Sequence, residues 1–583
     1  MSPRGRRLAA AAGAALFGAA TLALFFVSRG KWSDAVIDSG TEWLYADALA
    51  RGAVLYRDVV YWFGPFTPYF HAAFFRLCGS SFSTLAFSGA AGACGVLAAL
   101  HFALRGVTDR LQAALWTALA VPALVFMPNS GGAILGMGYR IWHPAGFALV
   151  ACGLASRPGS RHSPLRCAAA GICVGLAGLC RTEWGVIALV SVLAAAWVRL
   201  RRLGGFRREA LWIAAAAALV FGATLGGFAA VAGPAALLRD APVLLVGIPA
   251  ETPAGSVLAG LRGWRGGIPI LLYSTALWIA AISLTGAVAT HGLRPAATVR
   301  WLRRLLAVFA AIVFLAGIGA ASGAIVFSAA PSFCLAALSV GLIRRRSPRA
   351  APLVAFGCLG LLASHRRLFH IADAGYVAPP LLIAFVCAAA VLRILVAGQR
   401  NRAVRVRFRA ILEGAIPILI AVAFLGRAIQ YAADDRVPVP GTGGMLSAHA
   451  SAAREIAAVA AAVRAQTRDG DALIVIPEGG ILNFLAGRSN SLRHKISIPG
   501  YLRESNEGDF IGELERVRPA AIVIVRRPAG EYGRGFFGQG YGLRLKEWID
   551  ANYRLAPFRS AGQPASPHPR FVLGLRNARN ALP

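Results

Sequence analysis

Residues 34–65 read DAVIDSGTEWLYADALARGAVLYRDVVYWFGP. The stretch is polar, acidic and aromatic, and it lies between a hydrophobic segment near the amino terminus and a long series of further hydrophobic segments. Residues 1–430 contain twelve acidic residues, and five of them, Asp34, Asp38, Glu42, Asp47 and Asp58, fall within these 32 positions. Carboxylates at a membrane surface are costly, so their concentration in one connection marks a working surface.

The surrounding chain is apolar. Of its 583 residues 57% are hydrophobic and 15% charged, with a mean hydropathy of +0.60; a soluble chain carries roughly 25% charged residues. The apolar runs are long and continuous, so they read as membrane-spanning helices. Leu8–Val27, after MSPRGRR, is too long and lacks the cleavage site of a signal peptide. Further spans are expected near 82–104, 111–128, 143–156, 166–180, 183–199, 210–232, 267–289, 303–321, 323–343, 350–364, 375–397 and 410–427, about thirteen in all. Phe66–Leu77 reads as a re-entrant or interfacial piece. The expected fold is an α-helical polytopic membrane protein over 1–430, its first external loop at 29–65, followed by a small soluble α/β domain over 431–583.

The formal net charge is +34. The Arg residues cluster in alternate connections: 105–110, 157–166, 199–209, 291–304, 344–349 and 398–409. The positive-inside rule then puts these and the amino terminus in the cytoplasm. An odd number of spans sends the acidic loop and the carboxy-terminal domain outside. A nucleic-acid partner is excluded, because no basic face interleaved with aromatics appears. All nine Cys precede position 390 and none forms CxxC, so neither a disulfide framework nor a metal cluster is indicated.

From about Tyr431 the patterning is that of a soluble protein, and 14 of the 26 acidic residues lie there. Met445–Thr467 reads as an amphipathic helix, Ala472–Ile476 as a strand and Gly479–Gly487 as a turn into a short helix. A helix over Asp509–Val517, a strand over Ala520–Val525, a helix over Gly542–Tyr553 and a last strand over Phe571–Leu575 complete it. PEGG after the first strand lacks the spacing of a dinucleotide fingerprint.

Within 34–65, Ser39-Gly40-Thr41-Glu42 fits a capping box and predicts a helix from Gly40 to Arg51, closed by Gly52. Trp43, Leu44 and Tyr45 are expected to anchor it in the membrane interface. Asp38 lies near the positive end of the helix dipole, which suits a carboxylate. Val54–Trp62 is expected to run extended, and Gly64-Pro65 to turn the chain back into the membrane. Asp34 and Asp47 read as solvated.

The motif D-x-G-x-E-x-L-Y over 38–45, followed by GAVLYRDVVYWFGPFTPYFHAAFFRLCG, resembles the first external loop of GT-C membrane glycosyltransferases. It is similar to the bacterial branch described as glycosyltransferase 39-like or RgtA/B/C/D-like. GLCRTEW (178–184), HRRLFHIADAGY (365–376) and PEGGILNFLAGR (477–488) extend the resemblance over most of the chain. It implies a sugar taken from a polyprenyl-phosphate carrier and transferred with inversion to an envelope glycan, lipid or protein. It makes Asp38 the base that deprotonates the acceptor, with a helix N-cap role open as the alternative. Glu42, Tyr45, Arg57, Asp58 and Tyr69 are the candidate substrate-binding residues, with a capping role open for Glu42 and a surface pair open for Arg57–Asp58. The leaving lipid phosphate needs cations, and Arg181 with Glu183, Arg366, Arg367 and His370 are the candidates. Arg181 stands where Lys is commoner, and the loop lacks the adjacent Asp-Glu pair of protein O-mannosyltransferases. No cluster has metal-ligand spacing and no resident cofactor is expected, although some enzymes of this architecture use a divalent metal. A flippase for lipid-linked glycans would need carboxylates within the spans, which hold almost none; a scaffold leaves the first loop unexplained.

Overall fold

The computed structural model describes residues 3–128, 131–135, 139–157, 163–200, 205–240, 324–344, 347, 350–364, 378–558 and 570–576. The candidate spans at 267–289 and 303–321, and the motif at 365–376, lie outside the described residues.

Helices dominate the first three quarters. Helix α1 (Pro3–Ser28) leads into the acidic connection, which holds α2 (Asp38–Ala50). There follow α3 (Phe66–Cys78), α4 (Phe82–Val107), α5 (Arg110–Ala120), α6 (Tyr139–Ser156), α7 (Pro164–Cys180), α8 (Thr182–Leu200), α9 (Phe206–Ala232) and α10 (Pro234–Asp240). Beyond the undescribed stretch come α11 (Ala324–Ile343), α12 (Ala350–Ala363), α13 (Ala378–Ala397) and α14 (Arg402–Ala432). Six of these helices are long and apolar enough to cross a membrane, and several shorter apolar ones pack among them. Large apolar side chains of α1, α9 and α14, among them Leu16, Leu219 and Leu425, face outward, as a lipid solvent favours. Phe66–Cys78 is a full α-helix.

Polar caps set several helix starts. The Ser81 hydroxyl accepts from Thr84 N, and the Asp109 carboxylate accepts from Gln112 N. The run expected over 111–128 is broken: α5 ends at Ala120 and a π turn covers Val121–Val125. Pro122 has no amide to donate, so the ladder opens there. The carbonyls of Pro122 and Ala123 accept from the Arg427 guanidinium at 3.1 and 3.0 Å.

The described Arg residues at the edges of the Arg-rich connections gather at one end of the bundle. Arg409 approaches Asp109 at 3.4 Å, and Arg393 donates to the Val107 carbonyl. Arg199 donates to Ala155 O and pairs with Glu209, and Arg166 lies 3.8 Å from the same carboxylate. The other end carries the acidic connection, the π turn, the α7–α8 turn and the start of the carboxy-terminal segment.

That segment opens with a two-residue antiparallel pair, β1 (Val437–Pro438) and β2 (Ser447–Ala448), then α15 (Ala450–Gln466). A four-stranded sheet follows, with spatial order β3 (Leu473–Ile476), β4 (Ala521–Val525), β6 (Phe571–Arg576), β5 (Tyr553–Pro557). β3 and β4 are parallel; β6 runs antiparallel to both β4 and β5. Helices α16 (Gly480–Ala486), α17 (Glu507–Val517) and α18 (Leu543–Asn552) complete it. Ile474, Ile476, Ile522 and Ile524 face α17 and α18, whereas Leu473, Val475, Ala521 and Val523 join the main core. Both faces are buried, which is why these strands read as unbroken apolar runs. Tyr553–Pro557 continues directly from α18 as a strand that the sequence reading missed.

Glu209 is 1% exposed and is the carboxylate that Arg166 and Arg199 share. Glu209→Gln strands those guanidinium groups, and thermal unfolding in detergent should show a loss of about 3 kcal/mol.

Candidate functional site

The site is built on α2. Asp34 sets its start: one carboxylate oxygen accepts from Val36 N and Ile37 N, both at 2.8 Å. With those amides satisfied, helix begins at Asp38, two residues before the expected point. The Ser39–Glu42 capping box is therefore not formed; both residues lie inside the helix and are buried. The far end closes as expected. Gly52, at φ +100°, donates to Leu49 O, and Ala53 N donates to Ala48 O, which is the Schellman pattern.

Helix α2 has two working faces. At about 100° per residue, Asp38, Glu42, Tyr45 and Leu49 share one side, and Gly40, Trp43, Leu44, Asp47 and Arg51 the other. Tyr45 and Leu49 pack in a core with Leu55, Val59, Tyr61, Ala72 and Leu237. Asp38, at the outer end of this face, is half-buried, while Glu42 one turn along is 2% exposed. The opposite face lies on the carboxy-terminal segment. A Cβ on Gly40 would stand 2.6 Å from Ile481 N, and a Cβ on Gly480 would overlap the Gly40 carbonyl. Trp43 packs between Phe82 and Phe484, with ring centroids at 6.2 and 5.2 Å.

The rest of the connection is equally fixed. Gly64 lies on the α7–α8 turn: its amide donates to Cys180 O at 3.2 Å, and a Cβ there would overlap the Leu179 carbonyl. Arg181 closes α7 and is 3% exposed. Its guanidinium pairs with Glu183 at 2.6 Å and stands 4.9 Å from the Phe63 ring centroid. Its Nε–H has no hydrogen-bond acceptor among the described residues. Tyr45 meets Tyr61 edge-on at 4.8 Å and Tyr61 meets Phe63 at 5.8 Å, so an aromatic wall runs from α2 to Arg181.

Two solved structures of ArnT from Cupriavidus metallidurans align with nearly the whole chain. The one bound to undecaprenyl phosphate has a TM-score of 0.58 at 13% identity, covering 98% of this chain and 99% of that chain. The apo structure gives 0.54 at 12% identity, covering 99% and 100%. No protein-family model matches the chain, and no curated protein matches it in sequence. The chain has the GT-C fold.

Within this GT-C fold, three of the four motif segments meet at one end of the bundle: the first connection, the 178–184 turn and the 477–488 segment. Arg366, Arg367 and His370 belong to the fourth and lie outside the described residues. Several readings of the connection are corrected. Trp43, Leu44 and Tyr45 are buried in protein and do not float in an interface. Asp47 is 7% exposed and paired with Arg51 at 3.0 Å, so it is not solvated; Asp34 is exposed. Val54–Trp62 folds into a tight turn: Tyr56, at φ +68°, donates its amide to Val59 O, and Asp58 N donates to Val54 O.

Arg57 and Asp58 form an exposed pair at 2.7 Å; the Arg57 hydrogen bond is the main cause holding the Asp58 carboxyl below its ordinary range. Tyr69 is half-buried, and its hydroxyl accepts from Leu55 N at 3.4 Å. The carboxy-terminal segment clamps this turn. Arg493 donates to Arg57 O and Tyr56 O at 2.8 and 3.2 Å, its carbonyl accepts from Val60 N, and Trp62 stacks on Tyr501 at 4.0 Å. Sequence reasoning missed Arg493 and its neighbour Lys495; the unbroken basic run RHK at 493–495 was the available signal. Among the described residues no three His, Cys, Asp or Glu side chains form a group able to hold a metal ion.

Removing Arg493 unclamps the turn. Arg493→Ala should raise hydrogen–deuterium exchange across residues 54–60 while leaving that of α2 near wild type. Gly480→Ala overpacks the α2 contact instead, and should cost about 1–3 kcal/mol in thermal unfolding.

Proposed function

We propose that the protein is an inverting glycosyltransferase that moves a sugar from a polyprenyl-phosphate donor to an envelope acceptor. The observation that carries this reading is an accessible carboxylate, Asp38, at the same end of a GT-C bundle as the buried cation Arg181. An ArnT structure of this fold is bound to undecaprenyl phosphate, which supports a polyprenyl carrier as donor. The resemblance of 38–45 and 178–184 to the glycosyltransferase 39-like branch points the same way.

In the reaction, Asp38 takes the proton of the acceptor hydroxyl. The acceptor oxygen bonds to the anomeric carbon as the bond from that carbon to the phosphate oxygen breaks, inverting the centre. The electron pair leaves with the polyprenyl phosphate, and Arg181 offsets its charge with an N–H that has no acceptor among the described residues. Glu183 and the Phe63 ring orient that guanidinium. Glu42, one turn from Asp38, meets the sugar hydroxyls, and Tyr45 stiffens the wall behind them. The Arg57–Asp58 pair and Tyr69 shape the loop rim, and Arg366, Arg367 and His370 add cations for the carrier phosphate. No metal enters this scheme.

We further assign the protein to a bacterial inner membrane with its amino terminus and Arg-rich end cytoplasmic. The segment after position 430 is then an external domain that selects the acceptor. The clustering of Arg166, Arg199 and Arg409 at the end opposite the acidic connection supports this orientation.

Asp38→Asn should lower sugar transfer from a polyprenyl-phosphate donor by about a hundred- to ten-thousand-fold at normal expression. Mass spectrometry of lipid-linked and envelope glycans should then show the same missing sugar as a strain lacking the protein. Arg181→Met should lower kcat by at least about a hundredfold, with Arg181→Lys recovering part of it. Full turnover in Asp38→Asn defeats the assignment of the base.

A further inference from the structure

A cavity of about 330 Å³ lies on the other side of α2, between that helix and the carboxy-terminal segment. It is lined by the face that carries Trp43, Asp47 and Arg51, away from the face that carries Asp38. Its volume falls at the low end for small-molecule sites.

The lining is a buried mixture of donors, acceptors and rings. Lys495 is 7% exposed; the Asn490 carbonyl takes one of its ammonium protons at 2.6 Å, and among the described residues no acid lies within ion-pair distance. Burial is the main cause pushing its pKa down to about 8. Among the described residues the Asp47 carboxylate pairs with Arg51 alone, at 3.0 Å, which leaves lone pairs on a carboxylate that is itself buried. The walls hold three more polar atoms that are buried and have no partner among the described residues: Trp43 Nε1, Ser80 Oγ and Asn483 Oδ1. The rings of Trp43 and Phe484 supply the apolar part. Buried polar groups left this way are costly unless something satisfies them.

The chemistry narrows the occupant. An apolar chain would leave the Lys495 ammonium and the Asp47 carboxylate without further partners. Arg51 is already paired with Asp47 and Arg488 with Asp469, so an inorganic anion would meet Lys495 together with the Asp47 carboxylate, and an amine would face the Lys495 ammonium. A metal ion would find a single carboxylate. A ring that carries several hydroxyls both donates and accepts, and its C–H face stacks on an aromatic plane. We propose that this cavity is a binding site for a saccharide unit, separate from the Asp38 site and back-to-back with it on the same helix. The proposal stands without the transferase reading, because it concerns binding alone. A sugar held there bridges α2 to α16 and the 488–495 stretch, and so braces the helix that carries Asp38.

The test uses the full chain purified in detergent and saturation-transfer difference NMR, with glucose, galactose, mannose and arabinose as probes and inorganic phosphate and ethylamine as controls. At least one sugar should bind saturably. Asp47→Asn and Lys495→Met should each weaken it by about tenfold, and Asp38→Asn should leave it unchanged. Trp43→Phe keeps the ring between Phe82 and Phe484 and removes only the N–H, so it reports on the site should either charge variant misfold; it too should weaken binding. The proposal is overturned if no sugar binds saturably, if phosphate or ethylamine binds in its place, or if Trp43→Phe and the charge variants all bind as wild type does. Loss of sugar binding in Asp38→Asn alone overturns it too, while leaving the transferase reading intact. Sugar binding that depends on Asp47 and Lys495 in a protein without transfer activity supports it and sinks only the transferase.

Discussion

Backbone packs directly on backbone at two points, and the rest of the site depends on them. Gly40 lies against Gly480 and Ile481, and Gly64 lies against Leu179 and Cys180. Any side chain at these glycines would push its partner away. The first contact ties α2 to the carboxy-terminal segment, and the second ties the end of the same connection to the α7–α8 turn. A polar stretch of about thirty residues between membrane helices would otherwise be free to sample many conformations. Pinned at both ends, and clamped between them by Arg493, it presents Asp38 and Arg181 from elements that cannot drift apart independently. Catalytic groups need placement of this kind more than they need added contact energy.

The spans were legible because lipid imposes a simple rule: each crossing must be long, apolar and helical. Most described helices fall within a few residues of the expected spans, the exceptions being α14, which starts well before 410, and the run broken at Pro122; β3 and β4 were readable from their two-sided burial. What failed in the first connection failed for local reasons. The capping box at Ser39–Glu42 was a sound motif, but Asp34 lies four residues before the helix and satisfied the amides first. The aromatic triplet 43–45 looked interfacial because sequence does not reveal that a distant segment covers it. Asp47 looked solvated for the same reason: its cover comes from residues 483–495. Tyr553–Pro557 was lost to the end of α18 because strand identity there comes from pairing with β6, some twenty residues on. Asp38, Glu42 and Arg181 were found as candidates, and the charge pattern already put them on one side of the membrane; the fold adds the contacts that join them, Gly64 on the α7–α8 turn and Phe63 against Arg181.

Charge is divided along the same axis. At one end, Arg166 and Arg199 converge on Glu209 and Arg409 lies beside Asp109, so the Arg-rich connections hold only scattered acid. At the other end the acids outnumber the nearby cations of the connection, and the cations present are committed: Arg51 to Asp47, Arg57 to Asp58, Arg181 to Glu183. Exposed pairs such as Arg57–Asp58 contribute little to stability. A buried Arg181 is different, because its desolvation is only partly offset by one carboxylate and one ring. The bundle retains a cation that a purely structural design would replace with an apolar side chain.

Helix α2 therefore answers two demands at once. Its inner face carries Asp38 and Glu42 above a packed aromatic wall, and its outer face carries the glycine contact, Trp43 and Asp47. A helix of thirteen residues with buried groups on both faces has no side left to give to solvent, and this explains its weak amphipathic pattern. It also means that the position of Asp38 is set from behind. Whatever occupies or empties the space beside Asp47 and Lys495 acts on the same rigid rod, so the carboxy-terminal segment does more than cover the bundle: it forms the back wall against which the helix carrying Asp38 is held.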